Sequence, residues 1–326
     1  MLKQKIAFLC PYFGALPWYF KFFIKSCEKN PNVDFYLITD NHTIENLPIN
    51  VILVPSSLEN IKERISRVLT LSIDFSKAYK LCDFKPTYGL VFQDLLALKE
   101  YSFWGHCDID IVLGKIANFI TDEMLNSYDV ISVRHDYTPG FFMLYRNEEK
   151  TNSLFKKSAD YMHVFQSPKN FCFDECSYHH RDLMNGKPLE KVQNYIDAMT
   201  FVINRESKRG NIKVLYELFA LEGTLGSVTW SDGILTYEDR YEALLYHLIT
   251  TKNKVEFLPY QYANISNTFT ISVTDIHFYE VPKLSNGNVL PRLNKEKYVL
   301  DERIQVKFGQ YTKSSSGRFR QCGAKA

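Results

Sequence analysis

Three short apolar segments within the first 55 residues constrain the fold of this chain more than any other feature. They cover residues 6–10, 35–39 and 51–54, and each closes on a proline or an aspartate. Continuous apolar runs of this length are typical of strands buried on both faces. Because helical or loop segments separate the three runs, the sequence predicts a mostly parallel α/β sheet flanked by helices.

Helical periodicity is clearest between residues 58 and 69. Leu58, Ile61 and Ile65 recur at helical spacing after a Ser56 to Glu59 capping pattern. A further helix is predicted to begin near Pro86. The other predicted helices cover residues 17–29, 148–163 and 188–204, and the later predicted strands cover residues 103–110, 129–133, 141–145, 227–237 and 242–249.

Two aspartates close the strand predicted at residues 103–110. Asp108 and Asp110 are two positions apart, so we expect their side chains on one side of the chain, about 6.6 Å from each other. Ionised carboxylates at that distance repel by about 2–3 kcal/mol at an effective dielectric constant near 20. A divalent cation removes that cost, and oxygen ligands suit Mg²⁺ or Mn²⁺. We therefore expect an exposed metal site at the carboxyl end of this strand.

Composition limits the classes of partner. The 326 residues carry a formal net charge of +2, which is too small to recruit nucleic acid by a global field. The seven cysteines are scattered, as expected of reduced thiols in a cytoplasmic protein. We predict a catalytic domain at 1–263, an extension at 264–311 and a basic disordered tail at 312–326, which could contact a membrane surface weakly.

Four segments make the sequence recognisable: residues 11–14, 80–89, 103–110 and 144–147. They resemble a bacterial family of polysaccharide-biosynthesis glycosyltransferases that was formerly known as a domain of unknown function. The resemblance covers roughly the first 150 residues, and a more distant one links the chain to galactosyl- and mannosyltransferases with an Asp-x-Asp motif. It implies a GT-A-like fold, Mn²⁺ or Mg²⁺, a UDP-sugar donor, and a glycan or lipid-linked glycan acceptor. A peripheral position at the inner face of the membrane would depend on the basic tail.

The same resemblance assigns residues to the donor. Asp110 would bind the metal directly, and Asp108 would support the metal or the donor ribose. The residues implied to bind the donor are Pro11, Tyr12 and Phe13 after the first strand, Asp40 after the second, and Lys80, Asp83 and Lys85. Alternatively, the two lysines and Asp83 are a charged cap before the Pro86 helix, and the aromatic rings belong to the core.

Two further sets of residues have more than one interpretation. His247 lies in an apolar run, which is typical of a hydrogen-bonded core histidine. The resembled enzymes, however, often use a late histidine as a third metal ligand. Asp174 or Glu175 could act as the base of an inverting reaction, or both could be surface acids. The nearby set of Cys172, Cys176, His179 and His180 does not have a usual structural-zinc spacing.

Two other functions compete with glycosyl transfer. Residues 108–112 also fit the motif of haloacid-dehalogenase-like phosphatases, with Asp108 as the nucleophile. That motif normally follows the first strand of its domain, whereas three predicted strands precede it here. A carbohydrate-binding protein without catalytic activity is the other alternative, and the intact pair of aspartates argues against it.

Overall fold

The computed structural model describes residues 2–222, 226–253, 265–272 and 276–278. Its strands are β1 (Ile6–Tyr12), β2 (Val33–Thr39), β3 (Val51–Pro55), β4 (Phe103–Cys107), β5 (Ile111–Leu113), β6 (Val130–Ser132), β7 (Phe142–Arg146), β8 (Val214–Tyr216), β9 (Ala220–Glu222), β10 (Val228–Ser231), β11 (Ile234–Tyr237), β12 (Tyr241–Ala243), β13 (Leu245–His247), β14 (Thr268–Ile271) and β15 (Ile276–Phe278).

The central sheet has seven strands in the order β3-β2-β1-β4-β7-β6-β8. Neighbouring strands pair in parallel except on the two sides of β7, which runs antiparallel to β4 and to β6. Helices flank this sheet, so the predicted fold class, a mostly parallel α/β sheet flanked by helices, is confirmed.

The α-helices of the described residues are short. They are α1 (Phe20–Glu28), α2 (Leu58–Leu69), α3 (Tyr88–Val91), α4 (Gln93–Ala97), α5 (Asp122–Ser127), α6 (Glu149–Asn152), α7 (Tyr161–Gln166), α8 (His180–Met184) and α9 (Met199–Lys208). 3₁₀-helices cover Ala78–Thr87, Ile116–Asn118, Leu154–Lys157, Leu189–Lys191 and Thr251–Asn253. Within the part of the chain that the structure describes, no helix is long and apolar enough to cross a bilayer.

Alternation along β1 supplies both faces of the core. Ile6 and Phe8 pack into one apolar cluster, whereas Ala7 and Leu9 pack into another on the opposite face. All four side chains are buried, and burial of a large apolar side chain contributes about 1.5–3 kcal/mol. Because both faces of β1 are covered, its sequence is a continuous apolar run.

Several predicted helices differ from the observed ones. The helix expected at 17–29 begins only at Phe20, and the capping residue of α2 is Ser57, whose hydroxyl accepts the N–H of Asn60. The helix expected at 148–163 is divided into α6, a 3₁₀ turn and α7. The Ser158 hydroxyl binds the Asp197 carbonyl and accepts the Asp160 N–H, so backbone groups near this break bond to side chains instead of continuing the helix.

The other strands of the described residues form two smaller sheets. One is antiparallel, in the order β12-β11-β10-β14-β15, and the other has the order β5-β13-β9. The boundary predicted between residues 263 and 264 and the predicted tail at 312–326 lie outside the described residues, so both remain predictions.

Candidate active site

The Asp-x-Asp motif lies at the carboxyl end of β4, in the middle of the central sheet. Both aspartates belong to the turn between β4 and β5, not to a strand as the sequence predicts. The expectation that Asp110 is exposed is also wrong, since its side chain is only 8% exposed, against 37% for Asp108. Asp110 is covered because β13 pairs with β5 directly after the motif, and its carbonyl accepts the Leu248 N–H.

His247 reaches Asp110 through this pairing. Its Nε2 atom lies 3.4 Å from Asp110 Oδ2, and its Nδ1 atom lies 3.0 Å from Glu222 Oε1. Burial by itself lowers the pKa of His247, but the two carboxylates outweigh burial and raise that pKa to about 10. The imidazole is therefore cationic between two acids until another cation takes its place.

Three residues near the motif are not indicated by the sequence. Lys252 Nζ lies 2.5 Å from Asp110 Oδ2, and Arg134 Nη1 lies 2.7 Å from Glu222 Oε2. Glu222 thus joins Arg134 to His247. Burial favours the neutral form of Asp110, but His247 and Lys252 hold its pKa well below the ordinary value. The sequence feature that could indicate Glu222 is its position as a charged residue at the end of a short apolar run, after Ala220 and Leu221.

Lys85 connects Asp108, the more exposed aspartate of the motif, to the segment predicted to carry the base. Its Nζ atom lies 2.5 Å from Asp108 Oδ1, 2.9 Å from the Gly140 carbonyl and 3.6 Å from Asp174 Oδ2. Burial lowers the pKa of Lys85, but the neighbouring Asp108 raises it well above the ordinary value. Lys85 is therefore a permanent buried cation beside the motif.

Asp174 and Glu175 have different surroundings. Burial raises the pKa of Asp174 well above its ordinary value. Burial also opposes ionisation of Glu175, but the hydrogen bond from His180 and the N–H of Gly140 lower its pKa to about 2. A Cβ atom at position 140 would lie 2.5 Å from Asp174 Oδ2 and 3.0 Å from Glu175 Oε1, so only glycine allows both acids to approach the chain there.

Lys80 and Asp83 lie within the protein interior. They form an ion pair of 2.8 Å, and their side chains are 2% and 0% exposed. Asp83 accepts the N–H groups of Phe171 and Phe173, and Lys80 donates to the carbonyls of Val164 and Lys169. Of the three residues predicted to line the donor in this segment, only Lys85 contacts the motif.

The carboxyl end of β1 lies beside the motif, and Pro11 and Tyr12 belong to this strand and not, as predicted, to the loop after it. Tyr12 is half-buried, and burial followed by the charge of Asp110 raises the pKa of its hydroxyl. Asp40, which follows β2, accepts the N–H of Gly14 through both carboxylate oxygens, at 3.0 and 3.2 Å. Pro11 and Phe13 are also partly exposed. The structure therefore brings the predicted residues of β1 and β2 to the same edge as the motif.

The acids and the imidazole around Asp110 fit a divalent metal ion. Asp110 Oδ1 is buried and accepts no hydrogen bond from the described residues, which is costly for a carboxylate oxygen unless a cation completes its surroundings. Carboxylates and a neutral imidazole are ligands that suit Mn²⁺, and carboxylates suit Mg²⁺. In the absence of an ion, Lys252 and His247 neutralise Asp110.

The fold and the polar cluster define a mixed α/β protein with a candidate site at the carboxyl ends of β1, β2 and β4. The chain belongs to the family of unknown function DUF6625, which matches residues 8–280. No protein with a curated description matches it. Among solved structures, it is similar to the galactosyltransferase LgtC in complex with donor and acceptor sugar analogues. The TM-score is 0.33 at 11% sequence identity, over 66% of this chain and 75% of that one.

Proposed function

We propose that this protein is a metal-dependent glycosyltransferase that takes a sugar from a nucleotide-diphosphate donor. One observation carries the proposal: Asp110, with a buried carboxylate oxygen that lacks a partner among the described residues, lies 3.4 Å from His247 at the carboxyl end of the central strand β4. Ligands of open α/β sheets bind at this end of the strands. When bound, Mn²⁺ or Mg²⁺ would neutralise the charge that grows on the leaving diphosphate.

Residues around the motif would bind the metal ion and the donor. Asp110, His247 and Asp108 would hold the ion. Lys252, the other cation beside Asp110, can turn to the donor phosphates once the metal ion occupies Asp110, because a carboxylate already neutralised by a metal attracts an ammonium less strongly. The aromatic ring of Tyr12 offers a stacking surface for the base, and the exposed Asp40 offers an acceptor for ribose hydroxyls.

Asp174 is a better candidate for the base of an inverting reaction than Glu175. A general base works best with a pKa near the working pH, and the pKa of Asp174 is raised, whereas that of Glu175 is about 2. Both oxygens of Glu175 are also engaged by Gly140, His180 and Cys172. Asp174→Asn is expected to lower kcat by about 10²–10⁴ with unchanged donor affinity, and unchanged kcat would remove it from this role.

The UDP-linked donor and the glycan acceptor in bacterial cell-surface polysaccharide synthesis follow from the family resemblance of the sequence and are proposed on that basis. The proposed peripheral location at the inner face of the membrane rests instead on the basic tail, which lies outside the described residues. The aspartyl-phosphatase alternative is weaker, since its motif normally follows the first strand of the domain, whereas β1, β2 and β3 precede β4 and the motif here.

Calorimetric titration with UDP, with and without Mn²⁺, tests the proposal. The wild type is expected to bind UDP more tightly with Mn²⁺, and Asp110→Asn is expected to lose that dependence. Asp94→Asn removes an acid that is 63% exposed and should behave as the wild type. Undiminished Mn²⁺ dependence in Asp110→Asn would contradict the metal assignment, and trapping of beryllofluoride on Asp108 would favour the phosphatase.

A further inference from the structure

A second cluster of potential metal ligands lies in the 172–180 segment, outside the set formed by Asp108, Asp110 and His247. Cys172 Sγ is 3.1 Å from Glu175 Oε2 and 3.7 Å from His180 Nε2, and the last two atoms are 2.6 Å apart. A thiol, a carboxylate and an imidazole therefore converge on one point. The glycosyl-transfer proposal gives no role to Cys172 or His180.

The backbone and the neighbouring residues hold these three side chains in place. Cys172 has a left-handed φ of 53°, and Ser177 and Tyr178 follow with φ of 48° and 67°. Left-handed conformations are unfavourable for residues other than glycine and are concentrated at functional sites. Glu175 is fixed by the Gly140 N–H, and the ring of His180 packs edge-on against Tyr137 at 5.0 Å.

We propose that Cys172, Glu175 and His180 bind a Zn²⁺ ion. Zinc accepts sulfur, nitrogen and oxygen ligands together in a tetrahedral arrangement, whereas Mg²⁺ and Mn²⁺ prefer oxygen ligands. Cys172 loses its thiol proton on binding and His180 binds as the neutral imidazole, so protons are released to solvent. The side chains of Glu175 and His180 are 20% and 32% exposed, which leaves one side open for a water molecule as the fourth ligand.

This ligand set differs from the four-residue set suggested by the sequence. Cys176 is buried in an apolar cluster with Tyr137, Leu183 and Val192. His179 Nδ1 lies 3.9 Å from Asp182 Oδ2, and its ring lies against Phe201. Only Cys172 and His180 of that set belong to the site, and Glu175, between them in sequence, supplies the third ligand.

The zinc ion would fix the position of the acids next to the Asp-x-Asp motif. Glu175 binds the N–H of Gly140, and the carbonyl of Gly140 accepts from Lys85, which pairs with Asp108. The ion would therefore have a positioning role, because Asp174 is the residue next to its ligand Glu175. Zinc binding itself is independent of nucleotide binding, so the test below distinguishes failure of this proposal from failure of the glycosyltransferase proposal.

Cobalt substitution in the full-length protein tests the zinc site. After removal of metals by a chelator, Co²⁺ titration of the wild type is expected to produce the sulfur-to-cobalt charge-transfer absorption, and Zn²⁺ should displace it. Cys172→Ser should abolish that absorption, and His180→Gln should weaken Zn²⁺ binding by more than about 100-fold, beyond the usual effect of losing an outer-shell partner. Cys176→Ser, a matched thiol control, and Asp110→Asn should retain the absorption.

Two results would overturn the proposal. The first is a folded wild type that shows no thiolate absorption with Co²⁺, which leaves the cluster as a hydrogen-bonded Glu175–His180 pair. The second is an absorption that survives Cys172→Ser. Circular dichroism of each variant identifies any loss of fold, and the wild-type measurement decides the first result without any variant.

Discussion

His247 Nε2 lies 3.4 Å from Asp110 Oδ2 because β13 pairs antiparallel with β5, the strand that begins directly after the Asp-x-Asp motif. On the opposite edge of β13, Glu222 is the register partner of His247 on β9. The three-stranded sheet β5-β13-β9 therefore assembles an acid, an imidazole and a second acid from separate parts of the chain. This assembly is the structural basis of the proposed metal site.

The first prediction concerns His247→Ala. If the imidazole is a metal ligand, the variant should bind Mn²⁺ at least about tenfold more weakly at fixed nucleotide-sugar, about 1.4 kcal/mol. Calorimetric titration of Mn²⁺ into wild type and variant measures the difference. A core histidine without a metal role predicts a lower Tm with an unchanged Mn²⁺ dissociation constant. Glu222→Gln, which removes the charge behind the imidazole, should weaken Mn²⁺ binding less than His247→Ala does.

Replacement of Lys252 should have opposite effects on Mn²⁺ binding and on UDP binding. Its ammonium competes with a metal ion for Asp110 Oδ2, so Lys252→Met should bind Mn²⁺ roughly tenfold more tightly in the absence of nucleotide. With Mn²⁺ saturating, the same variant should bind UDP more weakly, since the phosphates lose a cation. Lys187→Met, at an exposed lysine paired with Asp182, is the matched control. An unchanged Mn²⁺ dissociation constant in Lys252→Met would contradict the competition.

Six of the seven strands of the central sheet could be predicted from the sequence, whereas β8 could not, since its three residues are only half-buried. Continuous apolar runs mark β1 and β2, which are mostly buried, and the half-buried β3 to within two residues. Helix α2 could also be predicted from the sequence, since Ile61 and Ile65 form its buried stripe and its other side faces water. In both cases the pattern of apolar residues along the chain reflects which side chains are buried.

The candidate site was only partly predictable for the opposite reason. Asp108 and Asp110 form a motif that is visible in the sequence, whereas Glu222 meets His247 only through the pairing of three-residue strands. Lys252 reaches Asp110 from the 3₁₀-helix Thr251–Asn253, which follows β13. Strands of three residues carry too little periodicity to predict their register. Burial of Asp110 was missed for the same reason, because the covering strand comes from residues 245–247.

Lys85→Met should destabilise the protein strongly. Lys85 is 8% exposed and donates to Asp108 and to the Gly140 carbonyl, and loss of a hydrogen bond to a charged group costs about 1.5–3 kcal/mol. Lys99→Met is the matched control, because Lys99 forms a pair of similar length with Asp34 but is 49% exposed; about 1 kcal/mol or less is expected there. Urea unfolding measures both free energies, and equal losses would show that burial of Lys85 has no energetic consequence.

The last prediction concerns pH and Asp129, which lies away from the proposed metal sites. Asp129 Oδ2 accepts the N–H of Lys213 at 2.8 Å, and Oδ1 lies 3.2 Å from Arg146 Nε and 3.0 Å from Lys150 Nζ. Burial opposes ionisation, but these donors lower the pKa of Asp129 in the folded state. Because the folded pKa is the lower one, this contribution to stability is fully present above the unfolded pKa, about 3.9, and is lost as the pH falls through the folded pKa.

Asp129→Asn should therefore lower the free energy of unfolding by roughly 1.5–3 kcal/mol at pH 7, the usual range for hydrogen bonds to a charged group. The difference between wild type and variant should hold down to about pH 5 and then shrink towards zero as the wild-type carboxylate is protonated. Urea unfolding at a series of pH values measures it. Asp94→Asn, at an exposed surface pair, should change the free energy of unfolding by less than about 1 kcal/mol throughout. A wild-type advantage over Asp129→Asn that persists unchanged below the folded pKa would mean that the carboxylate charge does not stabilise the junction of β6 and β8.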